Sequence, residues 1–268
     1  MQRIFAVKYV KNCKEKYCKR VDMSALEQVT YGVNRLQANK VFTADYFITE
    51  TLPRNNVRVA LDTLVAAGKI RKLGRGRYYK PMETILGEME PGIEEVLSDL
   101  VFDKNRKIIG YLTGTIIFAQ LGLTTQITTQ IQIGVKKYRR SARRGRYTVT
   151  FVEQPNPIKK EDIELFRLLD ALRFIKDIPA TTPEGAAERM LFLVGRLNEQ
   201  KQKRLVDLAL KYKPYVRALL GAIMEKNQAD EVLVTKLRKS LNGLTTSKLH
   251  ISEEIIPAAK WNIKKEKQ

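Results

Sequence analysis

The chain has 268 residues, room for two domains at roughly 100–200 residues each, and its 44% hydrophobic content excludes a disordered tail or a fibre. Lys and Arg number 49 against 29 Asp and Glu, a net charge of +20 that exceeds what solubility requires and points to a polyanionic partner. Two cysteines, Cys13 and Cys18, and one histidine, His250, exclude a disulfide framework and leave too few ligands for a Cys/His zinc site, so neither a metal nor a cofactor is expected.

No apolar run approaches the roughly 20 residues of a membrane span. Residues 1–20 carry basic side chains throughout instead of an apolar stretch followed by a cleavage site, so a soluble cytoplasmic protein is expected. Residues 1–22 hold seven basic and two acidic residues and read as a basic extension. Cys13 and Cys18 lie within it, and four intervening residues favour incidental thiols over a redox pair.

Residues 23–81 have the order of a winged helix-turn-helix. Ser24 and Glu27 form a capping-box pattern, and Leu26, Val29, Val33 and Leu36 recur at spacings of three and four, which predicts a helix over 24–36. Thr43 can cap a short second helix through Asp45 and Ile48, with Phe42 and Phe47 at the spacing of a hydrophobic staple. After a turn at Pro53, a third helix over 54–67 carries Val57, Ala60, Leu61, Leu64 and Val65 on one face and ends at Gly68. Two strand-like runs, 69–73 and 77–80, then flank Gly74-Arg75-Gly76, a basic hairpin. In a helix-turn-helix the second helix of the motif leads into the major groove with its N-terminal residues, where Arg suits guanine and Asn adenine. Arg54, Asn55, Asn56 and Arg58 are placed for bases, and Lys72, Arg75 and Arg77 for phosphates.

Residues 82–104 reverse the sign, with seven carboxylates against Lys104, and read as an acidic linker or solvated helix between basic modules. Beyond it, 105–243 reads as a mixed α/β domain with a helical C-terminal part. A strand is expected at 107–111, then an apolar helix over 116–121 capped by Thr113 or Thr115 and ended by Gly122. Ile127, Ile131, Ile133 and Val135 alternate with polar residues as a half-buried strand, and Tyr147, Val149 and Phe151 do so on a partner strand. Between them Lys136, Lys137, Arg139, Arg140, Arg143, Arg144 and Arg146 place seven cations in eleven residues. Burying such a cluster would cost several kcal/mol for each unpaired cation, so a solvated hairpin tip is expected, facing nucleic acid or an acidic partner surface. Helices follow over 160–176, from Pro183, through Leu205 to Leu210, after Pro214, and over 229–242. Residues 244–268 read as a polar tail that is mobile or ordered only by a partner.

The run Gly74-Arg-Gly-Arg-Tyr-Tyr-Lys-Pro81, followed by Ile109-Gly-Tyr-Leu-Thr-Gly-Thr115 and Leu121-Gly-Leu-Thr-Thr-Gln126, resembles the AbiEi-type antitoxins of bacterial abortive-infection systems over about residues 23–226. That resemblance implies a winged helix-turn-helix that binds inverted repeats in its own promoter and represses it. It also implies a C-terminal domain that counteracts a neighbouring nucleotidyltransferase toxin. The protein would be a monomer in solution or a dimer on double-stranded DNA.

An enzyme reading finds little support. A metal-dependent nuclease needs clustered carboxylates, yet residues 105–152 contain no Asp or Glu, and Gln130 and Gln132 stand where carboxylates would sit. Gly74-Arg-Gly76 precedes a strand instead of a helix and is no nucleotide-binding loop. His250 lies in a polar stretch without a companion and reads as a surface residue. The expected protein is therefore α+β and not an enzyme: a DNA-binding, autoregulating antitoxin. The alternative is an interaction module acting directly on the toxin or its RNA target, with DNA binding secondary. An unrecognised enzyme ranks third.

Overall fold

Ser24 closes the expected capping box at the start of the first helix. Its hydroxyl accepts from Glu27 N at 3.2 Å while the Glu27 carboxylate accepts from Ser24 N at 2.8 Å, and these hydrogen bonds hold the Glu27 pKa below its ordinary value. The computed structural model describes residues 23–244 and 246–264. Its architecture is α+β, in two compact units that divide between Ser98 and Asp99.

In the first unit, helix α1 (Ala25–Asn34) buries Val29 and Val33. Strand β1 (Val41–Thr43) follows, and then only a single 3-10 turn, Ala44–Tyr46, in place of the expected second helix. Thr43 makes no side-chain cap. Pro53 stands too close for a longer helix: the residue before a proline prefers extended backbone, and reciprocal backbone hydrogen bonds between Thr49 and Leu52 turn the chain first. Phe42 and Phe47 still meet edge to face across the turn, with ring centroids 5.6 Å apart.

Helix α2 (Arg54–Ala66) starts after Pro53 and buries Val57, Ala60, Leu61 and Leu64; Gly68, at φ +71°, takes the left-handed turn beyond it. Strands β2 (Arg71–Gly74) and β3 (Arg77–Tyr79) form an antiparallel hairpin, and β1 pairs antiparallel with the other edge of β3. Val29, Val33, Phe42, Phe47, Leu61, Ile70 and Tyr78 meet in one core.

The acidic stretch, expected as a linker or solvated helix, holds regular structure, with exposed strands followed by short helices. It forms a second hairpin, β4 (Met82–Thr84) and β5 (Gly87–Met89), then short helices α3 (Ile93–Val96) and α4 (Ser98–Val101). Val96, Leu97 and Leu100 are buried, and Glu95 accepts the backbone N–H of Val41 at 2.9 Å.

The second unit is built on a four-stranded sheet in which β6 (Gly110–Thr113), β7 (Gln130–Val135), β9 (Tyr147–Glu153) and β8 (Ala142–Arg144) lie side by side in that order. Strand β6 starts three residues later than expected. Ile127 lies outside β7 and is exposed. Between β6 and β7, helix α5 (Thr115–Gln120) is capped by neither threonine: Gly114 occupies the cap, and the Thr113 hydroxyl turns inward. The basic segment departs furthest from expectation. Strands β7 and β9 (Tyr147–Glu153) pair in parallel, which a hairpin cannot achieve. The chain leaving β7 therefore crosses over, forms edge strand β8 (Ala142–Arg144) antiparallel to β9, and turns back at Gly145.

Helices α6 (Ile163–Arg173), α7 (Pro183–Gly195), α8 (Glu199–Ala209), α9 (Pro214–Lys226) and α10 (Glu231–Lys239) supply most of the second core. Thr182, Asn198 and Asp230 cap three of them, and Pro183 and Pro214 open two. Residues 246–264 are not a mobile tail. Leu249, Ile251, Ile256, Trp261 and Ile263 are buried, and β10 (Ser247–Lys248) pairs in parallel with β11 (Ile263–Lys264).

Candidate nucleic-acid interface

In the first unit the apolar face of α2 points inward, which leaves Arg54, Asn55, Asn56 and Arg58 exposed on its first turns. Arg54 is ion-paired with Asp45 at 2.6 Å. Strand register connects this turn to the β2–β3 hairpin. Arg77 at the base of the hairpin turn lies opposite Thr43, and Asp45 follows Thr43 by two residues, so the hairpin turn and the start of α2 share one end of the unit. Gly76, at φ +70°, closes the turn. Arg75 is exposed at its tip, and the Lys72 ammonium lies over the Tyr78 ring, 6.0 Å from its centroid. Burial pushes the Tyr78 phenol pKa up, with the Asp62 charge adding to the effect, so that ring stays neutral.

In the second unit the structure divides the seven expected cations. Arg144 is tied inward: its guanidinium pairs with Asp99 at 3.1 Å and donates to the Arg143 carbonyl. Lys136 donates to the Pro155 carbonyl at 2.9 Å. Arg139 lies over Phe151, and Arg146 lies over Tyr147 and donates to its hydroxyl. Lys137, Arg140 and Arg143 extend into solvent beside or on the edge strand. Cations on an open edge also discourage pairing with another sheet.

The same unit holds a polar centre that the sequence alone did not suggest. Asp170 on α6 is fully buried and accepts from the hydroxyls of Tyr111 at 2.7 Å, Thr113 at 2.9 Å and Tyr212 at 3.2 Å. Gln154 sets the direction of these bonds. Its Oε1 accepts from the backbone and side-chain nitrogens of Asn156, which turns Nε2 toward both phenols at 2.7 and 2.6 Å. Each phenol oxygen thus receives an amide hydrogen and directs its own hydrogen at Asp170. Burial pushes the Asp170 carboxyl up while the three hydroxyls pull the other way, and burial together with the Asp170 charge pushes both phenols far up. The group binds sheet to helices and is closed to solvent. Its one signal in the sequence is an Asp among Leu168, Leu169, Ala171 and Leu172, on the apolar part of the helix.

Among the described residues, no group of three or more His, Cys, Asp or Glu is arranged to hold a metal ion, and no helix is long and apolar enough to cross a membrane. His250 is exposed. The basic extension, with Cys13 and Cys18, lies outside the described residues.

These features define an α+β protein whose exposed cations gather on a helix start, a hairpin and a sheet edge. It belongs to DUF6088, a family of unknown function whose model matches residues 28–177. No curated protein matches the chain. Among solved structures it is similar to the crystal structure of the RV2827C protein from Mycobacterium tuberculosis, with 16% identity, 84% of each chain covered and a TM-score of 0.46.

Proposed function

We propose that the protein is a DNA-binding antitoxin of a bacterial abortive-infection system, which represses its own operon and counteracts a nucleotidyltransferase toxin. Residues 23–81 act as a winged helix-turn-helix in which the second helix is shortened to one turn. The first turns of α2 enter the major groove, Arg54 and Arg58 reading guanine and Asn55 and Asn56 adenine edges, while Lys72, Arg75 and Arg77 hold phosphates. The observation that carries this reading is the placement of an exposed Arg-Asn-Asn-x-Arg turn and a basic hairpin at one end of the first unit. The antitoxin role rests on the resemblance carried by residues 74–81, 109–115 and 121–126. In this reading the protein is cytoplasmic and non-enzymatic, needs no metal or cofactor, and is a monomer in solution or a dimer on inverted repeats.

A salt titration of binding to the DNA immediately upstream of the gene, against scrambled DNA of equal length, tests the proposal. The expected outcome is a preference of roughly 10³-fold or more for the upstream DNA. Equal and steeply salt-dependent binding to both would overturn autoregulation. It would favour a second reading, in which the solvent-exposed Lys137, Arg140 and Arg143 engage RNA or the toxin directly.

A further inference from the structure

A cleft of about 420 Å³ opens in the second unit where the end of α6, the start of α9 and β10 converge. Arg173, Lys176, Lys213 and Lys248 line it against one carboxylate, Asp177, and Tyr215 contributes an aromatic wall. A smaller hollow of about 190 Å³ shares Arg173 and Lys213 with it and adds Lys211 and Glu153. Five cations thus surround two adjoining concavities that hold two acidic side chains.

The floor is pre-set. The Arg173 guanidinium donates to the Glu153 carbonyl at 2.8 Å and lies over the Phe174 ring, and the Tyr215 hydroxyl donates to the Arg173 carbonyl at 2.7 Å. Lys211, Lys213 and Lys248 stand exposed around that floor. Gathering like charges at a concavity raises the local potential and costs self-repulsion, which a polyanion in the cleft relieves. The apolar part of the wall, Ile175, Pro214 and Leu249 beside Tyr215, gives such a ligand an organic portion to bury. A concavity of this size, in which apolar and aromatic side chains stand beside convergent charged groups, suits a small molecule, whereas the β8 edge offers an open strand.

We infer that this cleft binds a small phosphorylated ligand of the nucleotide class, its phosphates on Lys213, Lys248 and Arg173 and its ring against Tyr215. The inference does not depend on the DNA-binding proposal, and its failure leaves that proposal untouched.

Calorimetric titration of the full chain at about 0.15 M salt, where surface attraction is screened beyond roughly 8 Å, tests it with adenosine triphosphate, inorganic triphosphate and adenosine as probes. The expected result is saturable one-to-one binding of adenosine triphosphate, at least tenfold weaker binding of the other two, and at least a tenfold loss in K213Q/K248Q. The variant R140Q/R143Q on the β8 edge should bind within twofold of the parent. Absence of saturable binding, or equal losses in both double variants, would overturn the site. Inorganic triphosphate binding as tightly as adenosine triphosphate would overturn the nucleotide class.

Discussion

Arg54 Nη2 lies 2.6 Å from Asp45 Oδ1, with both side chains 64% exposed, and this pair links the first turn of α2 to the 3-10 turn before it. Exposed ion pairs contribute only about 0–1 kcal/mol, so the contact orients Arg54 more than it holds the fold. Asp45→Asn should therefore change unfolding free energy by less than about 1 kcal/mol and, on the DNA-binding proposal, strengthen binding to upstream and scrambled DNA alike, because it removes an anion from the proposed interface. Arg54→Ala and Arg58→Ala should each cost about 1–3 kcal/mol of binding to the upstream DNA and much less on scrambled DNA. Fluorescence anisotropy with both DNAs measures this. Equal losses on the two would reassign these arginines from bases to phosphates.

The basic β8 region mixes two kinds of cation, and substitution separates them. Arg140 and Arg143 are exposed, so Arg140→Gln with Arg143→Gln should leave thermal stability unchanged. If each touches a phosphate, the slope of log K against log salt should become shallower by about 0.9 for every phosphate no longer neutralised. Arg144→Ala should do the reverse: it removes a mostly buried guanidinium that is ion-paired with Asp99 at 3.1 Å, and stability should drop by about 1–3 kcal/mol. A scan of melting temperature beside the salt titration reads both effects. A melting shift in the double variant, or none in Arg144→Ala, would reverse this division.

How far these features are legible in the sequence follows from the range of the interactions involved. The bounds of α2 are legible because Pro53 and Gly68 punctuate it locally, and Ser24 with Glu27 marks the start of α1 for the same reason. Alternation in Ile131, Ile133 and Val135 reports which side chains point inward, but alternation carries no information on strand neighbour or direction. The parallel pairing of β7 with β9, which turns the basic segment from a hairpin tip into an edge strand, is therefore hidden. The same limit conceals Asp170, whose hydroxyl partners Tyr111 and Thr113 lie 59 and 57 residues away. In the C-terminal segment, the short apolar run from Ile255 to Ala259 and the isolated Leu249, Trp261 and Ile263 follow no helical or strand period, and only tertiary packing reveals Leu249, Ile256, Trp261 and Ile263 as core. Of the candidate interface, residue placement on the α2 start and the hairpin tip is local and legible; the inward turn of Arg144 toward Asp99 is not.

Asp170 should leave a signature in the pH dependence of stability. Burial holds its carboxyl above the ordinary range, so the folded chain binds this proton more tightly than the unfolded chain. Below the unfolded value of about 3.9, both states keep the proton. As pH rises through the folded pKa, ionisation favours the unfolded chain and stability is lost. Asp170→Asn lacks this contribution, so the parent's stability relative to Asp170→Asn should be greater at pH 4 than at pH 7. Denaturant unfolding of both proteins at the two pH values is the check, and a constant difference would mean an unshifted carboxyl. Tyr111→Phe should cost about 1–3 kcal/mol at pH 4, because one Gln154 N–H is left without its acceptor inside the core, and more at pH 7, where it also removes a donor to the Asp170 carboxylate.

Gly221 on α9 shows how the C-terminal segment is seated. A Cβ there would come within 2.1 Å of the Trp261 ring, so the helix and the indole meet only because position 221 has no side chain. Trp261 is further held by a 2.8 Å bond from Nε1 to Glu225, which also takes ion pairs from Arg238 at 2.6 Å and Lys260 at 3.0 Å. Gly221→Ala should cost about 1–3 kcal/mol or more by overpacking. It should also shift indole emission to the red, and since Trp261 is the single tryptophan of the chain, the shift reports this contact alone. The destabilisation should be strongly non-additive with Trp261→Leu, which removes the ring that the new methyl meets. Additive effects in that double-mutant cycle would mean that the close approach does not govern how residues 246–264 pack.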